Sequence, residues 1–203
     1  MSGAAKKQLR QQMRQRLRAL DAATVAAESA RVCAQVAALP AFRGAQHVSV
    51  YLSMDRGELQ TGELVRAARQ AGKSVYVPRC DGPAMEMVPL GDGPIDALPR
   101  NSWGIPEPAR TAAPVDPQLL DFIVVPGVAF DARGARCGHG RGYYDRYLAS
   151  APRAFACAVC LAGQVVDAVP VDPHDRTPDA IIAPAGQLYP PRDQEHGSFA
   201  RPG

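Results

Sequence analysis

Three glycines at alternate positions, Gly138, Gly140 and Gly142, are interleaved with His139 and Arg141, preceded by Arg136 and Cys137, and followed by Tyr143-Tyr144-Asp145. Glycine has no Cβ, so main-chain N–H groups can turn toward an anion at close range. The cationic side chains add charge, and a helix starting at the tyrosines would add the positive end of its dipole. Together these features describe a phosphate cradle. It is neither of the two familiar ones. A P-loop ends in Gly-Lys-Ser/Thr, and a dinucleotide fingerprint has its third glycine one position later and a downstream acid for the ribose. Two aromatics followed by an acid also exceed what a structural turn requires.

A second cationic group lies near the start of the chain. Lys6, Arg10, Arg14 and Arg18 recur one helical turn apart, beside an apolar stripe of Leu9, Met13, Leu17 and Leu20. Such a run is either a solvated face or a surface laid over a polyanionic ligand. The thiols are less informative. Cys157 and Cys160 have redox or zinc spacing but sit in the apolar run 155–161, where residues three apart on a strand point to opposite faces. All five cysteines are expected to be structural thiols.

These residues need a scaffold, and 203 residues suffice for one domain with a real core. The net charge of +3 does not suggest a nucleic-acid binder, and no apolar run has membrane-spanning length. The basic N-terminus has no apolar h-region after it, so a cytoplasmic address is expected. The pattern predicts helices over 4–20, from an Asp21 cap to Leu39, and over 61–71. Strands are predicted over 48–53, 74–78, 85–90, 121–125, 155–161 and 180–183. The alternation argues an α/β fold, with a mostly parallel sheet and ligands at the carboxyl ends of its strands. Residues 91–117 are rich in Pro, Gly and Asp and read as a loop or lid over the site. Residues 1–183 form the expected domain, and 184–203 a polar, flexible tail.

Several segments together resemble one family. Pro126-Gly127-Val128-Ala129-Phe130-Asp131, Gly134 and Arg136, and then 138–148 (Gly-His-Gly-Arg-Gly-Tyr-Tyr-Asp-Arg-Tyr-Leu), are similar to the signature of 5-formyltetrahydrofolate cyclo-ligases, also called 5,10-methenyltetrahydrofolate synthetases. Lys6-Lys7-Gln8-Leu9-Arg10, Tyr51 to Met54 with Gly57-Glu58 and Thr61, Trp103 to Pro108, and Val169-Pro170 to His174-Asp175 match in order. The resemblance implies a single three-layer α/β/α domain of the kind that family shares with the NagB/RpiA/CoA-transferase-like group. It also implies the ATP-dependent cyclisation of 5-formyltetrahydrofolate to 5,10-methenyltetrahydrofolate, with ADP and phosphate released. A formamide oxygen is a poor leaving group; phosphorylating it lets folate N10 attack the carbon, and no protein nucleophile is needed.

On that resemblance, ATP is expected on Lys6, Lys7, Gln8, Leu9 and Arg10 and along the loop Arg136, Cys137, Gly138, His139, Gly140, Arg141, Gly142, Tyr143 and Tyr144. The catalytic residues are expected to be Arg141, Tyr144 and Asp145. Mg2+ is expected between Asp145 and Asp175, because an acid beside phosphate-binding groups repels the ligand unless a cation intervenes. Met54, Glu58, Trp103, His139 and Tyr143 are the expected folate contacts, with Glu58 rather than Gln60 on the amino-pyrimidine edge. Arg79 is a further candidate for a phosphate or folate carboxylate. His139 and Cys137 depart from the family's usual Tyr or Arg and Leu. The expected partner is a possibly polyglutamylated 5-formyltetrahydrofolate, bound by a monomer with no nucleic acid and no membrane. The rival readings are a non-catalytic nucleotide- or RNA-binding relative, and a sugar-phosphate isomerase or acyl-transfer enzyme on a related scaffold.

Overall fold

The computed structural model describes residues 2–54, 57–101 and 104–190. Helix α1 (Ser2–Arg18) turns Met13 and Leu17 inward, as the spacing predicts. Helix α2 (Ala22–Ala38) starts where Asp21 caps it: the carboxylate accepts Thr24 N at 2.8 Å and Thr24 Oγ1 at 2.7 Å. Pro40 ends that helix but also opens a short one, α3 (Pro40–Gly44), since proline is well suited to a first helical turn.

Strand β1 (His47–Ser49) is an interior strand of a seven-stranded sheet in the order β3-β2-β1-β4-β7-β8-β9. Its neighbours are β2 (Ser74–Asp81) and β4 (Phe122–Val125), both parallel to it; β7 (Phe155–Val159) and β8 (Ala180–Ala183) continue the parallel run. The edges are antiparallel: β3 (Ala84–Pro89) pairs β2, and β9 (Gly186–Tyr189) pairs β8. The strand at 186–189 corrects the expected boundary at 183, because the first part of the expected tail closes the sheet. The remainder of that tail, 191–203, lies outside the described residues.

The sheet is covered on both faces. Phe122 and Val124 join α2 and α4 (Gly62–Gln70) in one apolar cluster. Ile123 and Val125 join α5 (Tyr143–Ser150) in the other. This is the period-two alternation of strands buried on both sides. Cys157 falls in the first cluster and Cys160 in the second, so the two thiols point to opposite faces and share no ligand. All five cysteines are free, and only Cys80 is exposed.

The sequence pattern missed a hairpin between β4 and α5. Strands β5 (Ala129–Phe130) and β6 (Arg136–Cys137) are two residues each, too short for a periodic signal. Asp131, fully buried, builds their turn by accepting the amides of Arg133, Ala135 and Val169. The hairpin packs Ala129 and Cys137 on Met13 of α1, with Leu9 against the same cluster, and so brings α1 alongside the glycine-rich loop. Among the described residues, no helix is long and apolar enough to cross a membrane.

Candidate functional site

The sheet reverses its winding between β1 and β4, and the loops that leave those two strands diverge there. This is the crevice where open α/β sheets hold ligands. A cavity of about 700 Å3 occupies it, within the range of small-molecule sites. The loop after β1 supplies Tyr51, Met54 and Glu58; the loop after β4 supplies Pro126 and the run Arg136 to Asp145. Helix α1 adds Lys6, Arg10 and Arg14, and the loop before β8 adds Asp172, His174 and Asp175.

The phosphate-like end is built from the glycine loop. Gly140 has φ +100° and Gly142 φ +65°, backbone that other residues rarely adopt. A Cβ on Gly140 would lie 3.3 Å from the Arg10 guanidinium. Arg10 Nε donates to Gly138 O at 2.7 Å, which fastens α1 to the loop. Arg136 is 4% exposed at its side chain and donates from Nη2 to Asp145 Oδ1 at 2.7 Å. The Arg176 amide reaches the same oxygen at 3.2 Å. Lys6, equally buried, donates to Asp172 Oδ2 at 2.8 Å and Asp175 Oδ2 at 2.5 Å. Among the described residues, Asp145 thus pairs with Arg136, and Asp172 and Asp175 share Lys6.

Two buried polar atoms in this cavity have no hydrogen-bond partner among the described residues, Tyr144 Oη and Arg136 Nε. Buried donors are almost always satisfied, so orphans lining a cavity mark where a ligand's acceptors sit. Glu58 faces the same space. It is 7% exposed and accepts Met54 N at 2.9 Å. Burial outweighs that bond and pushes its pKa from 4.5 to about 7. Gln60 is not a contender for this role: its amide donates to Met54 O and Glu58 O and accepts from Ser53 Oγ, so it shapes the loop that presents Glu58.

The other expected residues divide. Arg141, Gly138, Gly140, Gly142, Cys137 and His139 line the cavity. His139 is at the mouth, where desolvation first, and then Arg14, Arg10 and Arg136, lower its pKa below the ordinary 6.5. Tyr143 lines the cavity too, but its hydroxyl donates to Gly82 O at 2.7 Å, latching the β2–β3 turn to the start of α5. Lys7, Gln8 and Leu9 are corrected. Lys7 and Gln8 are exposed on other faces of α1, and Leu9 packs into the hairpin cluster, because only one residue in three or four of a helix faces the cleft. Arg79 is also corrected: it donates to the carbonyls of Ala109, Arg110 and Ala112 and pairs with Glu86, strapping down the proline-rich loop. That loop brings Asn101, Ile105, Pro106 and Glu107 to the cavity, while Trp103 lies outside the described residues.

The reading of single residues missed Arg14, Asp172 and His174. Arg14 was signalled by its one-turn spacing from Arg10, and the other two by their place beside Asp175. The Asp172, His174 and Asp175 ligand atoms all lie within 4.8 Å of one another. Asp145 is not one of that group, yet the Arg176 amide that it holds directly follows Asp175 in the chain. Carboxylate oxygens on the first turn of α5 and on the loop before β8 are hard donors of the kind Mg2+ takes.

Comparison with known proteins agrees with this geometry. A sequence model of the 5-formyltetrahydrofolate cyclo-ligase family matches residues 2–184. A probable 5-formyltetrahydrofolate cyclo-ligase of Schizosaccharomyces pombe is 33% identical over 194 residues, covering 88% of this chain and 95% of that protein. The 5-formyltetrahydrofolate cyclo-ligase of Saccharomyces cerevisiae is 33% identical over 215 residues, covering 92% and 98%. Among solved structures, the NMR structure of Aquifex aeolicus 5,10-methenyltetrahydrofolate synthetase aligns with a TM-score of 0.76 at 28% identity, over 97% of this chain and 99% of that one.

Proposed function

The chain belongs to the 5-formyltetrahydrofolate cyclo-ligase family, and from that premise we propose how its cavity performs the family's reaction. The enzyme is a ligase that closes 5-formyltetrahydrofolate to 5,10-methenyltetrahydrofolate at the expense of ATP. One observation carries the assignment of roles. A single cavity joins a cationic glycine loop at one end to a buried carboxylate and apolar wall at the other.

Glu58 accepts the N–H donors of the amino-pyrimidine ring, and Met54 packs against the ring system. That orientation directs the formyl oxygen toward the glycine loop. Lys6, Arg10, Arg136 and Arg141 neutralise the triphosphate as the formyl oxygen attacks the γ-phosphorus and ADP leaves. Folate N10 then attacks the formyl carbon, and the oxygen departs with phosphate, which also takes up the N10 proton. The orphan hydroxyl of Tyr144 lies in the wall between these two ends and donates to the reacting oxygen or to phosphate. Charge neutralisation and positioning supply the acceleration, as in other phosphoryl transfers.

Mg2+ is part of the proposal, held by Asp145 and Asp175. When bound, it would offset the phosphate charge that those carboxylates otherwise oppose. A cytoplasmic, monomeric enzyme fits the free thiols, four of the five buried. The RNA-binding alternative is not supported: Glu58, Glu107, Asp145, Asp172 and Asp175 match five cations in the cavity wall, and a backbone-binding groove would exclude such acids.

The test is to mix the chain with 5-formyltetrahydrofolate, Mg2+ and ATP and follow the near-ultraviolet absorbance of the methenyl product. The band grows only with ATP present, and Asp145→Asn lowers its rate by on the order of 100-fold or more. A folded, ATP-binding chain that makes no product would overturn the reading.

A further inference from the structure

Two carboxylates share the ammonium of Lys6, and they are not equivalent. Asp172 is tied to α1 twice: Ser2 Oγ donates to its Oδ1, and Lys6 Nζ to its Oδ2. Ser2 and Lys6 are one helical turn apart, so Asp172 spans the first turn of α1, where the helix dipole favours a negative charge. Asp175 meets Lys6 too, but its Oδ2 also accepts the Asp172 amide at 2.7 Å, and Asp175 N donates to Asp172 O at 3.0 Å. It belongs to its own loop, beside the Arg176 amide that contacts Asp145.

Those ties set a conflict for the loaded enzyme. A metal on Asp175 would compete with Lys6 for that carboxylate, whose Oδ2 already accepts Lys6 Nζ at 2.5 Å and the Asp172 amide at 2.7 Å. A lysine released by its carboxylate has a four-carbon stem with free rotation and a strongly hydrated head, so it tends to swing toward water. The ammonium has three donors, and one bond to a fixed acceptor leaves two for phosphate oxygens. Asp172 is such an acceptor, because Ser2 fixes it independently of Asp175.

We infer that Asp172 is a positioning residue, which keeps Lys6 Nζ aimed at the phosphate end of the cleft while Asp175 serves the metal. The inference rests on the reading above that Lys6 meets the nucleotide. Both Asp172 oxygens are engaged by α1, so a metal at His174 and Asp175 would have to share them with Ser2 and Lys6.

The experiment is calorimetry of ATP and, separately, of Mn2+ as a probe of the metal site, with the full chain in the absence of folate. The variants are Asp172→Asn, Lys6→Met and the pair together, each checked for folding by circular dichroism. Asp172→Asn weakens ATP by about five- to tenfold. It leaves Mn2+ affinity within about twofold of wild type, and in turnover it raises KM for ATP more than it lowers kcat. In the Lys6→Met background, Asp172→Asn costs no further ATP affinity, the signature of a residue acting through another. Weakened Mn2+ binding would make Asp172 a metal ligand instead, and equal ATP losses in both backgrounds would detach it from Lys6. Unchanged ATP binding would leave only a solvated ion pair. If Asp172→Asn does not fold, Ser2→Ala keeps both charges and removes the anchor; it must weaken ATP in the same direction, and no change overturns the inference. A wild-type chain that binds no ATP fails the functional reading itself, and this inference with it.

Discussion

Glu58→Gln separates what the site needs from what the fold prefers. Burial holds the Glu58 carboxyl protonated up to about pH 7, against an ordinary value of 4.5. The folded state therefore keeps a proton that the unfolded chain releases, and stability falls as pH rises from 4.5 to 7, then levels off. About 2.5 pH units at 1.36 kcal/mol each give ~3 kcal/mol of cost at alkaline pH. Gln has the same shape, carries no charge, and its oxygen can still accept the Met54 amide. The difference in melting temperature, variant minus wild type, should then grow by roughly 6–10 °C between pH 4.5 and pH 8.5 for a chain of this size. Any fixed cost of burying the amide shifts both ends equally. Thermal melts in buffers across that range read the difference directly. A flat difference would show that Glu58 is not held protonated and that the argument from desolvation is wrong. The same variant should lose folate affinity by about 10–100-fold at pH 8, because an amide cannot accept from both donors of the ring edge. A more stable, less active enzyme is the combined expectation.

The remaining predictions concern the glycine loop's surroundings and α1. Gly127→Ala should destabilise by about 1–3 kcal/mol, because its Cβ would fall 2.4 Å from Phe130 Cζ inside the hairpin; an unchanged melting temperature would contradict that packing. Lys7→Ala should leave the Kd for ATP within about twofold of wild type, while Lys6→Met weakens it at least tenfold, since of the two lysines only Lys6 is buried and lines the cleft. Equal effects in calorimetry would mean that α1 is turned differently from the orientation described.

Much of this fold was legible because its strands are buried on both faces and its helices carry strong apolar stripes. Phe122 to Val125 and Ala180 to Ala183 are fully apolar, and Met13 and Leu17 repeat at helical spacing. Tertiary ties decided the rest. Strand β1 stops at Ser49, not Ser53, because Tyr51 and Leu52 leave the ladder for the cavity wall; Thr61 Oγ1 and Tyr51 Oη replace sheet bonds with bonds to Tyr51 O and Leu59 O. Strands β5 and β6 depend on Asp131, whose three amide partners come from as far as Val169. The cationic loop was visible from residue types alone, but the partners of its charges were not. Lys6 and Asp175 are 169 residues apart, and no local pattern joins them.

Several locally costly features meet in one cavity. Among the described residues, Glu58 is a buried carboxyl without a cation and Tyr144 Oη and Arg136 Nε are buried donors without acceptors; Gly140 and Gly142 hold backbone in a conformation that other residues rarely adopt. A fold optimised only for stability would have little reason to retain these costs together. Away from the cavity the picture is mixed: Lys73 is buried but donates to Arg43 O and Ala45 O, and Asp131 is buried with its amides, while Tyr147 Oη and Arg69 Nε have no partner among the described residues. Burial of charge is thus not what singles out the site. What marks it is unfinished polarity inside a cavity, with donors at one end suited to phosphate and an acceptor at the other suited to the ring edge of a pterin. A ligand carrying both groups completes each half, and binding one end lowers the cost of ordering the other.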